Sequence, residues 1–464
     1  VANPILDPAL SPTADIPSAE AAPALTAPAV TPAWHPLTRF AFRAAFCYCL
    51  LYALCCGNAT LWEIIPFHVG EFMSTYTAWP FQHAARWLGQ HLFHLSGVSA
   101  TPHGGGSGDT ALDWIAVGVM LLVAAVATLA WTAIAETRTN RALAYPRLYF
   151  WMRLMLRLAL GYAMLGYGMA KLFPLQMAPP SLAVLNEPLG HTSPMTMLWT
   201  LIGLNPVYEI ICGATECVAG VLLLFRRTAL VGTLLTVFLT TNIVLYNFCF
   251  DVPVKIYAAH LLLISLVLLT PSIPGLVRLF LLHQPAQFPL LWARPAGRLR
   301  VHWETLIIGV WFAIMTATNA WQTGQVYRHQ QAAIAHPGPL TGIWQVDTAI
   351  FHGQPKPLLT PGGDATAALI FEPSGRAELR SASQELFRAG AHFDPQKHTL
   401  NLYSVGIHVE YAVTQPDANH LVLTPTGDSA KTDSTLTLSR VPLPASYPLL
   451  DRGFHFVNEW GLER

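Results

Sequence analysis

The chain has 464 residues, of which 53% are hydrophobic and 11% charged, where an ordinary soluble domain carries about 25% charged residues. Lys and Arg balance Asp and Glu to a formal net charge of zero, so no global basic field draws in nucleic acid. This excludes an ordinary soluble enzyme and predicts an integral membrane protein with room for one further domain.

Residues 1–36 hold eight prolines and no Lys or Arg, which predicts a disordered Ala/Pro-rich tail. The basic and apolar regions of a secretory signal are both missing from it. Hydropathy then predicts seven spans, near 40–65, 112–135, 148–173, 206–225, 228–250, 254–270 and 303–322. Arginines mark one side of every span, and the alternate loops carry almost none, with Arg86 the exception. Arg39 and Arg43 precede the first span. Arg138, Arg141, Arg147 and Arg153 lie between the second and third, and Arg226 and Arg227 between the fourth and fifth. Arg278, Arg294, Arg298 and Arg300 precede the seventh. The positive-inside rule then predicts a cytoplasmic amino terminus and an exoplasmic carboxyl terminus.

Four of the seven cysteines, Cys47, Cys49, Cys55 and Cys56, share the first span. No C-x-x-C occurs, and neighbours so close on a helix point apart, so they read as small apolar filler. The loop after this span holds an expected amphipathic surface helix from Phe81 to Leu95. His83, Trp87, His91 and His94 fall on one arc of it. His83 and His94 would stand about 16 Å apart along the axis, which favours an interfacial face over a metal set; no metal site is assigned. The Gly104–Gly108 run reads as a turn, after which Asp109 or Thr110 is a candidate cap for the second span.

The region 148–280 reads as a four-helix bundle containing Lys171, Glu209, Glu216, Asp251 and Lys255. Ionisable groups within a bilayer are costly and mark partners, water-filled cavities or function. The chain has five lysines, and Lys171 and Lys255 are the two before residue 356. A desolvated lysine can lose its proton, and an arginine effectively cannot. Glu216 lies about 15 Å along its helix from Arg226, near the midplane. Glu209, Cys212 and Glu216 share one face, beside Gly213 and Gly220. Lys171 ends its span, where Pro174 stops the helix. Asn242 and Asn247 add polar groups to the outer half of the next span. Asp251 and Lys255 lie a turn apart around Pro253, and His191 and Glu187 sit in the outer loop. These placements predict a polar cavity open to the exoplasm, with either Lys171 or Lys255 meeting Glu216. The alternative is a structural polar core with snorkelling lysines. His260, near the depth of Glu216, is a lesser candidate for a proton path.

Three segments here, Gly166-Tyr-Gly-Met-Ala-Lys171-Leu-Phe, Glu216-Cys-Val-Ala-Gly-Val-Leu-Leu-Leu and Asn247-Phe-Cys-Phe-Asp251-Val-Pro-Val-Lys255, resemble the DoxX family of membrane proteins in order and spacing. The resemblance covers roughly residues 150–280. That family takes its name from similarity to the membrane subunit of a thiosulfate:quinone oxidoreductase, and it is distantly related to the membrane domain of vitamin-K-dependent carboxylases. In the carboxylases a lysine after a similar turn deprotonates reduced quinone, and Lys171 matches it by position. The resemblance implies a quinone cofactor. The expected catalytic groups are Lys171, Glu216, Asp251 and Lys255, with Glu209, Asn242, Asn247 and His191 around the cofactor.

The carboxyl-terminal part, 326–464, alternates apolar and polar residues between Gly, Pro and Asp turns. It predicts about eight short strands forming a small antiparallel barrel, including Gly342–Phe351, Ala367–Phe371, Thr399–Leu402, His408–Val413, His420–Leu423 and Thr435–Leu438. Gly342-Ile-Trp344 resembles the G-x-W opening of lipocalin-like barrels. Such a barrel either packs solid or holds one small apolar ligand. The aromatic ending from Asp451 to Trp460 is expected to pack back on the barrel or the membrane surface.

The expected domains are therefore a tail over 1–36, two spans over 37–147, the bundle over 148–280, a loop and seventh span over 281–325, and the barrel over 326–464. The expected function is quinone-linked redox activity, or service as an accessory subunit of a membrane oxidoreductase. No Rossmann fingerprint, haem attachment motif or iron–sulfur spacing supplies an electron carrier. The expected partners are the bilayer and a membrane or periplasmic redox protein, not nucleic acid. The expected location is a bacterial inner membrane with a periplasmic barrel. The competing reading is a lipid or protein carrier, or an assembly scaffold. A transporter ranks third, because inverted repeats are not evident.

Overall fold

The computed structural model describes residues 33–55, 62, 69–96, 109–137, 144–225, 227–288, 301–356, 366–404, 407–431 and 433–451. The predicted tail before residue 33, Cys56, Gly104–Gly108, Arg138, Arg141, Arg226, Arg294, Arg298, Arg300 and the ending after Asp451 lie outside the described residues.

In chain order the helices are α1 (Pro36–Cys55), α2 (Val69–His91), α3 (Ala111–Thr137), α4 (Pro146–Leu172), α5 (Leu182–Leu185), α6 (Pro194–Gly203), α7 (Pro206–Leu224) and α8 (Ala229–Cys249). Then come α9 (Lys255–Leu269), α10 (Ile273–Leu276), which with flanking tighter and wider turns carries α9 on to Leu281, and α11 (Val301–Ala335). Six helices among the described residues are long and apolar enough to cross a membrane: α1, α3, α4, α7, α8 and the continuous helix from Lys255 to Leu281. The predicted segment near 303–322 lies within α11, a 35-residue helix about 52 Å long.

Two helices start earlier than hydropathy suggested, because Pro36 and Pro146 open them and proline suits a first turn. Arg39 and Arg43 therefore sit inside α1, and Arg147 and Arg153 inside α4. Arg39, Arg43 and Arg153 are buried, so they are not the loop charges the sequence suggested; Arg157, a turn beyond Arg153, is buried as well. The surface helix expected at Phe81–Leu95 likewise begins a dozen residues sooner, at Val69, and runs through Pro80. The Thr77 hydroxyl donates to the Leu54 carbonyl at 2.6 Å, tying α2 to the end of α1. The rings of His83 and His91 engage the carbonyls one turn back, at Trp79 and Trp87.

The most extensive helix–helix contact among the described residues is between α4 and α7, and glycine lets it form. The helices run antiparallel, with Gly161 against Gly220 and Gly168 against Gly213, seven residues apart on each. A Cβ on Gly168 would stand 2.5 Å from the Cys217 sulfur, and one on Gly213 would stand 2.6 Å from the Gly168 carbonyl oxygen. Small residues are what allow membrane helices to approach this far, where packing rather than the hydrophobic effect drives association.

At the amino end of α9, Asp109 accepts hydrogen bonds from the backbone N–H groups of Lys255 and Ile256, so it caps that helix. Thr110 and Asp113 form a reciprocal cap on α3. Of the two predicted cap candidates for this helix, Thr110 serves it and Asp109 serves another.

The carboxyl-terminal unit is a closed eight-stranded antiparallel barrel. Its strands are β1 (Gly342–Phe351), the two-residue appendage β2 (Gln354–Pro355), β3 (Thr366–Phe371), β4 (Arg376–Ser381), β5 (Leu386–Asp394), β6 (Thr399–Ser404), β7 (Ile407–Asp417), β8 (His420–Pro425) and β9 (Thr435–Arg440). Neighbours in sequence pair in a meander, and β1 pairs with β9 to close the barrel, leaving no free edge in it. One contiguous cluster of buried side chains occupies the interior, including Trp344, Leu369, Leu400, Leu421, Leu423 and Leu438. Eight strands leave an interior just wide enough for side chains to occupy. Trp344 donates its indole N–H to the Leu340 carbonyl, and the Arg440 guanidinium lies 4.6 Å over its ring. A short terminal helix, α12 (Pro448–Asp451), follows β9.

Candidate functional site

The site grows from the α4–α7 glycine contact. Lys171 lies in the last turn of α4, and its Cβ would be 2.7 Å from any Cβ placed on Gly213. Glu216 sits one turn further along α7. At this separation the Lys171 Nζ donates to both Glu216 oxygens, at 2.8 and 2.7 Å. Both side chains are only 4% exposed. Of the two lysines the sequence left open, Lys171 is the one that meets Glu216.

Glu209 occupies the first turn of α7 on the same face and is wholly buried. Its Oε1 accepts the Met177 N–H at 2.9 Å, and its Oε2 has no hydrogen-bond partner among the described residues. Lys171 is within electrostatic range of it as well as of Glu216. Met177 belongs to the stretch that leaves α4 after Phe173. Gly203, at the end of α6, closes on the same stretch, since a Cβ there would meet the Met177 and Ala178 carbonyl oxygens at 2.5 Å. The α4–α7 connection is thereby folded over the end of α4 and the start of α7. The lysine–carboxylate cluster is enclosed, not held in the open cavity expected from the sequence.

Aromatic groups line the enclosure. The Lys171 ammonium lies 5.6 Å from the Tyr167 ring centroid, and Tyr167 is 5.8 Å from Tyr257. Tyr246 is within electrostatic range of Glu216 and Tyr167. The sequence reading did not single out these tyrosines. Tyr167 stands one helical turn before Lys171, and that spacing was the signal available.

The remaining predicted residues lie elsewhere or are engaged locally. Asp251 and Lys255 pair with each other at 2.6 Å across the α8–α9 turn, with the Asp251 side chain 81% exposed. Asn247 is buried, and its side-chain amide donates to the Val254 carbonyl, holding the same turn. Asn242 and His191 are exposed. Glu187 is half-buried, near the Thr192 hydroxyl. His260 lies against α1: its Nε2 meets the Tyr48 hydroxyl at 2.7 Å and its ring stacks on Tyr52. Its Nδ1 meets the Ile256 carbonyl at 2.7 Å. Nδ1 is thus the donor and Nε2 the acceptor, as expected of a neutral imidazole.

The barrel reaches the enclosure through the same α4–α7 connection. The buried Glu372 carboxylate accepts the backbone N–H groups of Leu182 and Ala183, both at 3.1 Å, at the start of α5. Ala183 packs on Ile343 and Ile370, the outward faces of β1 and β3, while Arg380 reaches the Ala183 and Asn186 carbonyls at 3.4 Å. Asn186 also donates to the Tyr447 hydroxyl after β9. Burial pushes the Glu372 carboxyl above the ordinary carboxylate range, and the two backbone donors oppose this in part.

No family model matches the chain, and no solved structure matches it. It is similar to an uncharacterized protein, YwoB, of Bacillus subtilis (strain 168), with 42% identity over 74 residues. The match covers 16% of this chain and 48% of that relative, so the chain spans about half the length of the curated relative it matches.

Proposed function

We propose that the chain is a quinone-linked membrane oxidoreductase, or the accessory subunit of one, with Lys171 and Glu216 exchanging protons at a quinone headgroup. One observation carries this reading: a lysine and a carboxylate in two-point contact, both buried, with a second buried carboxylate, Glu209, beside them. Such a group of three can gain or lose a proton while each charge keeps a neighbour of opposite sign. A bound quinone would supply the redox chemistry, releasing two protons and two electrons on oxidation of its reduced form; Lys171 and Glu216 would hold the headgroup and relay the protons, and the electrons would pass to a substrate or a partner protein. Glu209 fixes the covering segment through Met177. The Tyr167, Tyr246 and Tyr257 rings supply flat apolar walls suited to a quinone ring. Asp251, Lys255 and Asn247 hold the α8–α9 end.

In this reading the bundle is DoxX-like and the barrel lipocalin-like. The amino terminus is cytoplasmic, α11 makes a seventh crossing, and the barrel stands on the exoplasmic side of a bacterial inner membrane. The barrel docks on the connection that covers Lys171, which agrees with both lying at one end of the bundle.

A scaffold is the second reading, and two observations favour it. The barrel interior carries a large cluster of buried apolar side chains, which suits a docking unit, and Glu372 clamps it to the bundle. An optical difference spectrum and organic extract of the full chain in mild detergent separate the readings. Co-purifying quinone supports the first, and phospholipid without quinone supports the second.

A further inference from the structure

A second group of buried charges lies at the other end of the bundle, away from the barrel. Arg39 and Arg43 are a turn apart on α1, and both reach the Glu136 carboxylate near the end of α3, at 3.4 and 3.6 Å. Arg43 also donates to the Tyr145 hydroxyl at 2.7 Å. Arg153 lies a turn beyond Tyr149, with its guanidinium 5.2 Å from that ring and one N–H 3.4 Å from the phenol oxygen. Tyr145 and Tyr149 are themselves held together, since Phe42 and Trp34 each contact both rings. The three guanidiniums therefore border one aromatic-walled corner between α1, α3 and α4.

Each of these arginines is more than nine-tenths buried by the protein itself. Among the described residues Arg39 and Arg43 share the Glu136 carboxylate, while Arg153 meets the Tyr149 phenol instead. Arginine cannot relieve the imbalance by giving up its proton. Among the described residues, Arg39 Nε and Nη1 and Arg153 Nε and Nη2 have no hydrogen-bond partner. Buried charged donors without acceptors are strongly disfavoured, so the corner calls for an anion with several acceptor oxygens. A planar guanidinium fork matches the oxygens of a phosphate, and basic pockets between membrane helices hold lipid headgroups in this way.

We infer that the α1–α3–α4 corner is a phosphate-binding site, in which Arg39 and Arg153 supply the free donors and Arg43, fixed by Glu136 and Tyr145, supplies the remaining charge. The phosphate is that of an anionic phospholipid or a free phosphate ion. The site is separate from the Lys171 cluster and does not depend on the function proposed for it.

The test uses the full chain in neutral detergent, with its thermal midpoint followed against dihexanoyl phosphatidylglycerol, dihexanoyl phosphatidylcholine and inorganic phosphate. Phosphatidylglycerol is expected to raise the midpoint saturably where phosphatidylcholine does not. Arg39→Gln and Arg153→Gln are each expected to weaken its half-saturation by about tenfold or more. Arg388→Gln, at a position 77% exposed on the barrel, leaves it unchanged. Stabilisation by phosphatidylglycerol alone assigns the site to a headgroup, and an equal response to inorganic phosphate assigns it to the free ion. Because the arginine variants can fail to fold, phosphorus is also assayed in unaltered protein after detergent exchange, with about one tightly held phosphate per chain expected. The inference is overturned if neither anion stabilises more than phosphatidylcholine, if the arginine variants respond like the parent, or if exchanged protein retains no phosphorus and binds none.

Discussion

Lys171 on α4 and Glu216 on α7 form a two-point ion pair that is sealed from solvent, and the Gly168–Gly213 contact is what lets the two helices come close enough to form it. Chemistry and packing are thus tied to the same few residues, so their contributions must be separated by the choice of variant.

Removing one partner leaves the other charge buried alone. Glu216→Ala and Lys171→Ala are each expected to cost about 3–5 kcal/mol. The double change Lys171→Met with Glu216→Leu recovers most of this, because an apolar pair of similar volume carries no desolvation penalty. Denaturation midpoints of the purified chain in detergent check the pattern. Additive losses in the double variant would contradict a direct coupling between the two residues.

The glycine contact gives a sharper packing prediction. At Gly213 an added methyl meets the Gly168 carbonyl, the Lys171 Cβ and the Leu172 nitrogen, all within 2.8 Å. Backbone cannot move aside as a side-chain tip can, so Gly213→Ala is expected to cost about 1–3 kcal/mol and to loosen the ion pair. Gly166→Ala, where the new methyl meets nothing within 4 Å, is the matched control and leaves stability within about 0.5 kcal/mol. Thermal midpoints of the two variants make the comparison.

The barrel clamp predicts a pH dependence with a definite sign. The Glu372 carboxyl is raised by burial, so its ionised form is disfavoured in the folded chain. Its contribution is complete below the ordinary carboxylate range and is lost as pH rises through the raised value. Glu378 is raised for the same reason and contributes in the same direction. The thermal midpoint is therefore expected to fall on going from mildly acidic to neutral pH. Glu372→Gln is expected to flatten that slope while Glu378 retains its share. An unchanged slope in the variant would remove Glu372 as its source.

Within the barrel, Trp344 is fully buried and is held by the Leu340 carbonyl and the Arg440 guanidinium. Trp344→Ala is expected to cost about 3–5 kcal/mol. Near-ultraviolet circular dichroism and the thermal midpoint should both report the loss.

The sequence was most legible where one simple period or one costly residue dominated. Gly342–Phe351 is read to the residue because Trp344–Asp347 alternates between a packed interior and an outer face, although Ile343 is also buried and a bulge between Val346 and Thr348 shifts the phase. Glu209 and Glu216 stand out because carboxylates are rare in an apolar helix, and their shared face with Gly213 follows from helix geometry. What one helix cannot show is where a neighbouring chain segment folds. Asp109 reads as a cap for the helix it precedes, yet it caps α9 from across the bundle. Met177 carries no sequence signal for its contact with Glu209, because a backbone N–H is present at nearly every residue. The arginines read as loop markers because hydropathy places helix ends at the last apolar residue. Pro36 and Pro146 move those ends outward and bring the guanidiniums inside.

The central claim is that Lys171 and Glu216 meet a quinone headgroup, and equilibrium binding of a short-tail benzoquinone to the full chain in detergent tests it most directly. Unaltered protein is expected to bind saturably, and Lys171→Ala and Glu216→Gln are each expected to weaken binding by about tenfold or more. Asp251→Asn, at the exposed α8–α9 turn, is expected to bind as the parent does. Equal affinity in all four proteins, or no saturable binding in the parent, would contradict the claim and leave the buried pair as a latch between α4 and α7.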